Sequence, residues 1–385
     1  MGLKLMWSGL KAEWALLFRY RGILLILIGA PLFYSLFYPL PYQAGVVTEV
    51  ALWVVDADQS QASRRLIDRL DATPQLRVTQ VTATDAGRSE ALMVGDVQAY
   101  LNIPGGMQAN LERGKAVTLA YGGSASNFLV YGTAARSMAQ VIRAESDRWA
   151  QPHRLQTLGN AIQAEARAEP LQLALTPLFN SDRSYLQYLV PGVYLFLVQQ
   201  VLMLAVGMHW GAQREAGSLT KPLLGFVAQT LIYGVHGLAL VLYLFRWALP
   251  LEGVWPALDG AQLFGFGLPF VLSAIWFGMI VSRPMQRLET PLLWLLPLSV
   301  PLLLLTGISW PHFAMADWLL PLADGLPATR AAEALLGTAF MGVEASAWAQ
   351  WLLALFYGGL AMVLRCVLVR ETAPALPRSI DETPA

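Results

Sequence analysis

The chain has 385 residues, of which 56% are hydrophobic and 14% charged, and its 26 basic and 26 acidic residues give a net charge of zero. Soluble domains usually carry about 25% charged residues. The composition excludes a disordered chain, which needs high charge and low hydrophobicity, and a nucleic-acid binder, which needs a basic balance. The single cysteine excludes a disulfide-stabilised secreted module. The composition is typical of a polytopic membrane protein.

Six windows of at least 20 residues contain no Asp, Glu, Lys or Arg. About 20 apolar residues are enough to cross a bilayer as a helix, the form in which a span satisfies its own backbone. One such window could be a buried core helix, but six favour a membrane protein. We therefore predict six transmembrane helices, at 22–40, 186–208, 223–246, 262–282, 291–309 and 348–369.

The first span, within residues 22–41, ends in Tyr-Pro-Leu-Pro-Tyr and lacks a small-residue cleavage site, so we expect an anchor and not a cleaved signal peptide. Lys and Arg are in excess in the leader, in the loops after the second and fourth spans, and in the tail. By the positive-inside rule these segments are cytoplasmic. Both termini are then cytoplasmic, and residues 42–185 lie outside the cytoplasm.

Four segments outside the spans have distinct patterns. Residues 1–21 place Trp7, Leu10, Trp14 and Leu17 on one helical face, which predicts an amphipathic interfacial helix, or else an extension of the first span. Residues 186–370 hold spans two to six. Within them, the proline-rich stretch 310–347 predicts an external re-entrant or interfacial segment. Residues 371–385 are expected to be a disordered cytoplasmic tail.

Residues 42–185 alternate short apolar runs with helical patterns, which predicts an α/β domain with long helices. Asp56 and Asp58 fit a turn better than a metal site, and Ser60 is the expected N-cap of the next helix. The predicted strands are 49–55, 75–81, 96–103 and 117–121, and the predicted helices are 60–70, 85–94 and 127–167.

Several motifs resemble those of ABC-2 type transporter permeases, the larger class of type-2 ABC exporter membrane subunits. That family places a large external domain between its first two spans, as predicted here. The segments that carry the resemblance, in order, are Trp53–Leu66, Val97–Gly106, Tyr188–Gly192, Arg214–Ser218 and Thr306–Thr329.

The resemblance implies a permease that moves a substrate out of the cytoplasm or the inner membrane. The spans lack a charged cavity signature, which favours a hydrophobic or amphipathic substrate over an ion. A separate cytoplasmic ABC ATPase dimer would bind ATP and Mg, so we expect this chain to hold no cofactor or metal and to be no enzyme. The sequence also lacks a P-loop motif. The implied partners are the ATPase dimer, a second permease subunit, identical or related, and the lipid bilayer of a bacterial inner membrane. A periplasmic membrane-fusion adaptor is left open.

Two elements are candidates for contacting that ATPase. In the leader these are Lys11, Glu13 and Arg19. In the coupling loop 212–222, Arg214 and Glu215 are the main polar contacts, because charge-assisted hydrogen bonds orient as well as bind. The full set predicted in this loop is Gln213, Arg214, Glu215, Gly217 and Ser218. In the alternative interpretation, the leader only anchors the chain and the loop is merely solvated.

Three polar residues lie inside predicted spans: Gln199, Gln200 and His236. Polar groups in the bilayer are functional candidates, but they also form hydrogen bonds between helices. Helix packing is the favoured interpretation, and lining a substrate path is the alternative.

Two other function classes remain open. The chain could be an ATP-independent receptor or scaffold that uses its periplasmic domain. A membrane enzyme is less favoured, because the four histidines form no His-x-x-x-His metal pair and Gly123–Asn127 does not match the nucleophile elbow of serine hydrolases.

Overall fold

The computed structural model describes residues 2–43, 46–123, 128–158, 184–217, 221–342 and 346–372. The chain divides into two compact units. One combines Met1–Gln43 with Leu178–Ala385, and the other is Ala44–Pro177. Nearly all of the predicted disordered tail lies outside the described residues, as does Ser218.

Helices α1 (Gly2–Arg19) and α2 (Arg21–Tyr42) begin the first unit. Within α2, a π-helical turn covers Leu25–Gly29, shortly before Pro31. A proline lacks the backbone N–H that an α-helix needs at that position, and a local widening of the helix accommodates the missing hydrogen bond.

The second unit is an α/β fold. Its four strands have the order β2-β1-β3-β4, with β1 parallel to both neighbours and β4 antiparallel to β3. Buried aliphatic side chains of β1 and β3 form its core with α3 and α6. The elements in chain order are β1 (Val50–Asp56), α3 (Gln61–Asp71), β2 (Leu76–Thr82), α4 (Arg88–Val94), β3 (Ala99–Ile103), α5 (Met107–Glu112), β4 (Ala120–Gly123) and α6 (Phe128–Leu158).

The turn after β1 is closed by side-chain hydrogen bonds. Asp56 accepts from the backbone N–H groups of Asp58 and Gln59, at 3.1 and 2.9 Å, and from the Ser63 hydroxyl at 2.7 Å. The Ser60 hydroxyl accepts from the Ser63 N–H at 3.1 Å, which confirms Ser60 as the N-cap of α3. These contacts use the Asp56 carboxylate for structure.

Asp58 connects the same turn to α5, because its carboxylate accepts from the Gln108 N–H at 3.1 Å. Desolvation acts to raise the pKa of Asp58. Hydrogen bonds from the Ser60 side chain and from the backbone of Gln108, Met107 and Gly106 outweigh it and hold this pKa below its usual value.

Helices α7 (Tyr185–Glu215), α8 (Pro222–Leu251) and α9 (Gly260–Val281) continue the first unit. Almost the whole of α7 is buried by its neighbours. Glycines allow this close packing: a Cβ on Gly278 of α9 would lie 3.0 Å from the Met203 Cα of α7. Small residues at helix interfaces commonly serve this purpose in membrane proteins.

The predicted fifth span, 291–309, is not one continuous helix. It consists of α10 (Thr290–Leu295) and α11 (Ser299–Leu305), with Pro297 between them. Pro297 cannot donate the hydrogen bond that would continue α10, and Pro301 is accommodated in the first turn of α11. The prediction of six continuous membrane helices is therefore not confirmed.

The segment predicted to be re-entrant or interfacial contains short helices. After two 3₁₀ turns come α12 (Leu320–Asp324) and α13, which runs through Pro327–Ala331, a π turn at Ala332–Leu336 and Gly337–Met341. Ala328, Thr329 and Ala331 of α13 are buried, and Ala328 and Ala331 belong to the same apolar core as α7 and α9.

Helix α14 (Trp348–Thr372) ends the described chain. In the part of the chain that the structure describes, five helices are long and apolar enough to cross a membrane. They are α2, α7, α8, α9 and the Trp348–Val367 portion of α14. Each coincides with a predicted span.

Candidate functional site

One end of the helical unit carries several basic residues, among them Arg214, which was predicted to contact the ATPase, and we call it the basic end. It is formed by the start of α8 at Lys221, the end of α7 at Arg214 and the loop after α9 at Arg283 and Arg287. Helix α7 stops here because Gly217 adopts a left-handed conformation with φ of 61°, which glycine takes without strain.

Arg214 and Glu215 are fixed against the loop after α9. The Arg214 guanidinium donates to the Arg283 carbonyl at 3.1 Å, and the Leu288 N–H donates to the Glu215 carboxylate at 3.3 Å. Below them, a Cβ on Gly211 would lie only 2.2 Å from the Arg287 carbonyl oxygen. The end of α7 and this loop are therefore tightly packed, with Glu215 and Gly217 exposed at the surface.

Helix α1 packs against α8 and presents an apolar outer face. Leu17 is buried, and a Cβ on Gly9 would lie 2.7 Å from Leu224 of α8. On the outer face Trp7, Trp14 and Phe18 are exposed, as expected for a helix lying in a bilayer interface.

Lys11 and Arg19 are exposed, as a contact with a partner requires. The Lys11 ammonium lies 5.4 Å from the centre of the Trp7 ring, and the Arg19 guanidinium 5.9 Å from that of Tyr20. Such cation–π contacts hold the charged groups close to the helix surface.

Glu13 and Gln213, which were predicted to face the ATPase, are buried inside the unit. The Gln213 amide donates to both oxygens of the Glu13 carboxylate, at 2.9 and 2.8 Å. Gln229 of α8 donates to the same carboxylate at 3.2 Å, and His209 of α7 is hydrogen-bonded to it through Nε2. Neither residue is placed for direct surface contact; both connect α1 to the membrane helices.

Two further residues, Tyr233 of α8 and Arg365 of α14, extend this hydrogen-bond network. His209 Nδ1 and the Tyr233 hydroxyl of α8 are 2.9 Å apart. On the other side, Arg365 of α14 donates to the side-chain oxygen Oε1 of Gln229 at 3.0 Å, and its guanidinium lies 5.3 Å from the centre of the Trp210 ring. We call the six hydrogen-bonded residues the Glu13 cluster: Glu13, His209, Gln213, Gln229, Tyr233 and Arg365.

Protons in the cluster are constrained by its geometry. The Glu13 carboxylate oxygen and His209 Nε2 are both acceptors when unprotonated, so a proton must lie between them. Glu13 is an acidic residue and Arg365 a basic one, and the Gln229 side-chain amide bridges them by donating to one and accepting from the other. Buried charges persist only with such pairing and hydrogen bonding.

The cluster members His209, Gln229, Tyr233 and Arg365 were not predicted from the sequence. A signal existed, because polar residues recur four positions apart within charge-free windows: His209 with Gln213, and Gln229 with Tyr233. Residues four apart share one helical face. Two such faces in neighbouring spans indicate a polar contact between them.

The three intramembrane candidates bind backbone groups of other segments. Gln199 accepts from the Ala328 N–H of α13 at 2.8 Å, and Gln200 donates to the Leu295 carbonyl of α10 at 2.9 Å. His236 Nε2 lies 2.8 Å from the Leu27 carbonyl, within the π turn of α2. All three thus satisfy backbone groups at irregular points of neighbouring segments, and none belongs to the Glu13 cluster.

A cavity of about 430 Å³ lies at the other end of α7. Its walls are mostly apolar and come from the start of α7, the segment after α11, and α13. His312 and Glu333 also line it, with His312 Nδ1 and the Glu333 carboxylate 3.9 Å apart. Among the described residues, no group of three His, Cys, Asp or Glu is placed to hold a metal ion.

A family model described as "ABC-2 family transporter protein" matches residues 21–364, most of the chain. No curated protein and no solved structure matches it significantly. The permeases of this family have no nucleotide-binding domain of their own, and their membership implies a cytoplasmic ABC ATPase as partner. The chain therefore belongs to the ABC-2 transporter family, as a multi-pass membrane permease subunit of an ABC transporter.

Proposed function

We propose that this permease is the membrane subunit of a bacterial inner-membrane exporter, and that a separate ATPase drives it from the cytoplasm at the basic end. The observation that carries the proposal is the exposed turn after α7. Arg214 and Glu215 present charged groups there, while their hydrogen bonds to the loop after α9 fix the position of the turn. A fixed turn transmits a push from a docked partner without first deforming.

The orientation of the chain in the membrane follows from the distribution of its basic residues. The basic residues of the leader, of the turn after α7 and of the loop after α9 favour the cytoplasm. With α10 and α11 together as one further crossing, broken at Pro297, the chain crosses six times and both termini are cytoplasmic. The α/β unit is then periplasmic. Irregular backbone at membrane depth is tolerated where protein buries it, and Gln200 satisfies the Leu295 carbonyl at this break.

The substrate we propose is hydrophobic or amphipathic. The apolar cavity at the far end of α7 offers such a molecule a place on the exit side, with His312 and Glu333 beside a polar group. A cavity of this size suits a small organic molecule or part of a lipid. The working unit is two permease subunits, identical or related, with two ATPase chains that bind ATP and Mg; a periplasmic adaptor is a further candidate partner.

The test is reconstitution of the purified permease with the ABC ATPase of the same transporter. We expect the permease to form a stable complex and to stimulate ATP hydrolysis. Glu215→Arg should abolish the stimulation, because it reverses the exposed charge and removes the acceptor of the Leu288 N–H. Glu90→Arg, an exposed residue of α4, is the matched control and should have no effect. Stimulation unaffected by Glu215→Arg would refute the assigned docking turn.

A further inference from the structure

We propose that Glu13 is a positioning residue that fastens α1 to α7 and α8 throughout the transport cycle, so that these helices move as one body when the ATPase displaces the turn after α7. This inference rests on the proposed function and gives Glu13 a different role from the direct ATPase contact expected from the sequence. In this role α1 contributes to transport through its attachment to α7 and α8, and not through a surface that contacts the ATPase.

The first step is the burial of the carboxylate. Glu13 is wholly buried, and its oxygens receive hydrogen bonds from His209 and Gln213 of α7 and from Gln229 of α8. A carboxylate removed from water must have its acceptor sites satisfied. Because all these donors lie on α7 and α8, lifting α1 away would break every one of the contacts together.

The second step is the charge balance. Glu13 is hydrogen-bonded to His209, and on the other side the Arg365 guanidinium of α14 donates to the side-chain amide of Gln229, which also binds Glu13. Tyr233 closes the network through His209. A displaced α1 would therefore leave a positive charge of α14 buried without its opposite charge, which strongly disfavours separation.

The third step links the cluster to the proposed docking turn. Gln213, which holds both carboxylate oxygens, directly precedes Arg214 within α7. A continuous helix connects the two residues, so motion of the turn carries Gln213 and with it Glu13. One turn away from Glu13, the close contact of Gly9 with Leu224 provides a second, apolar attachment of α1 to α8.

Loss of the fastening is tested with Glu13→Gln, which keeps the side-chain shape but removes the charge and replaces one acceptor oxygen with a donor. In the reconstituted complex we expect at least a tenfold loss of stimulated ATP hydrolysis, with the ATPase still bound. Glu252→Gln, at the opposite end of α8, is the matched control and should remain within twofold of the parent. An equally active Glu13→Gln variant would overturn the proposal.

A reversible cross-link separates fastening from mere folding. A Cβ on Gly9 would lie 2.7 Å from the Leu224 Cγ, so the two Cβ atoms are within about 4.2 Å, inside the range of about 3.5–4.5 Å that a disulfide needs. We would introduce Gly9→Cys and Leu224→Cys in a Cys366→Ser background and oxidise the folded protein. We expect the cross-linked parent to retain stimulation within twofold, because α1 and α8 need not separate.

The same disulfide should restore stimulation to the Glu13→Gln variant, and a reductant should remove the rescue within minutes on the same folded sample. A cross-linked parent that loses stimulation would show that α1 must move relative to α8, and would overturn the proposal. The experiment on the cross-linked parent tests the proposal even where Glu13→Gln fails to fold.

Amide hydrogen exchange of the permease alone tests the fastening of α1 independently of the proposed function. We expect α1 amides to exchange at least tenfold faster in Glu13→Gln than in the parent, with no ATPase present. Unchanged exchange would refute the fastening itself. Faster exchange together with a parent that never stimulates an ATPase would support the fastening and refute the proposed function.

Discussion

The packing of α7 against the loop after α9 leads to a quantitative prediction at Gly211. An alanine there would place its Cβ 2.2 Å from the Arg287 carbonyl oxygen and 2.6 Å from the carbonyl carbon. Relief to an ordinary contact requires a backbone shift of about 1 Å, and such overpacking costs about 1–3 kcal/mol. The same shift would lengthen the 3.1 Å hydrogen bond from Arg214 to Arg283 beyond its useful range.

Gly234 of α8 is the matched control, because it is also helical and buried but has no atom within 4 Å of an added Cβ. Both substitutions gain about 1 kcal/mol of helix propensity. The difference between them therefore isolates the clash, and we expect Gly211→Ala to be less stable than Gly234→Ala by about 1–3 kcal/mol.

The assay is unfolding of both variants by sodium dodecyl sulfate titration in one detergent, followed by tryptophan fluorescence. The free energies of unfolding should rank Gly234→Ala above the parent and Gly211→Ala last or equal to the parent. In the reconstituted complex, Gly211→Ala should also weaken ATPase stimulation, because Arg214 loses its anchor. Equal stability of the two variants would refute the close contact between α7 and the Arg287 backbone.

Three further predictions concern the hydrogen bonds of single side chains. Ser60→Ala should destabilise α3 by about 1 kcal/mol, measured as faster hydrogen exchange of its first turn, whereas an exposed Ser→Ala control without a capping role should not. The pKa of Asp58 is lower in the folded than in the unfolded state, so its carboxylate stabilises the α/β unit above the unfolded pKa and loses this effect as the pH falls below about 4. Asp58→Asn should therefore make the resistance of this unit to proteolysis less dependent on acid pH. An unchanged acid profile would contradict the stabilising role of the Asp58 carboxylate. Gln199→Leu should leave the Ala328 N–H unpaired and cost about 0.6–1.7 kcal/mol in the same detergent titration, while an unchanged midpoint would show that α13 does not depend on this bond.

The long apolar helices could be predicted because a bilayer imposes one simple condition on sequence. Any stretch of about 20 residues without charge meets it, and α2, α7, α8, α9 and α14 all do. The break at Pro297 escaped the prediction because hydropathy measures side chains and ignores backbone donors. Counting prolines in the 291–309 window would have indicated it.

The Glu13 cluster was harder to predict because its meaning depends on tertiary contacts. On its own, Glu13 has the pattern of a charge on the polar face of an amphipathic helix, and Gln213 that of a residue at a helix end. Glu13 and Gln213 become buried only because α1 packs against α7 and α8. By contrast, Ser60 and Asp56 act within a few residues of themselves, and local patterns were enough to assign their turn.

The Glu13 cluster also has a consequence for how the chain is made. Glu13 is synthesised well before Arg365, which belongs to α14. The two are about 350 residues apart, which corresponds to roughly 20–70 s of synthesis at about 5–20 residues per second. During that time α1, α7 and α8 can already make the hydrogen bonds of Glu13, whereas the hydrogen bond from Arg365 to Gln229 forms only after α14 has been made. A product truncated before Arg365 would therefore lack the hydrogen bond that connects α14 to Gln229 and, through it, to the rest of the Glu13 cluster.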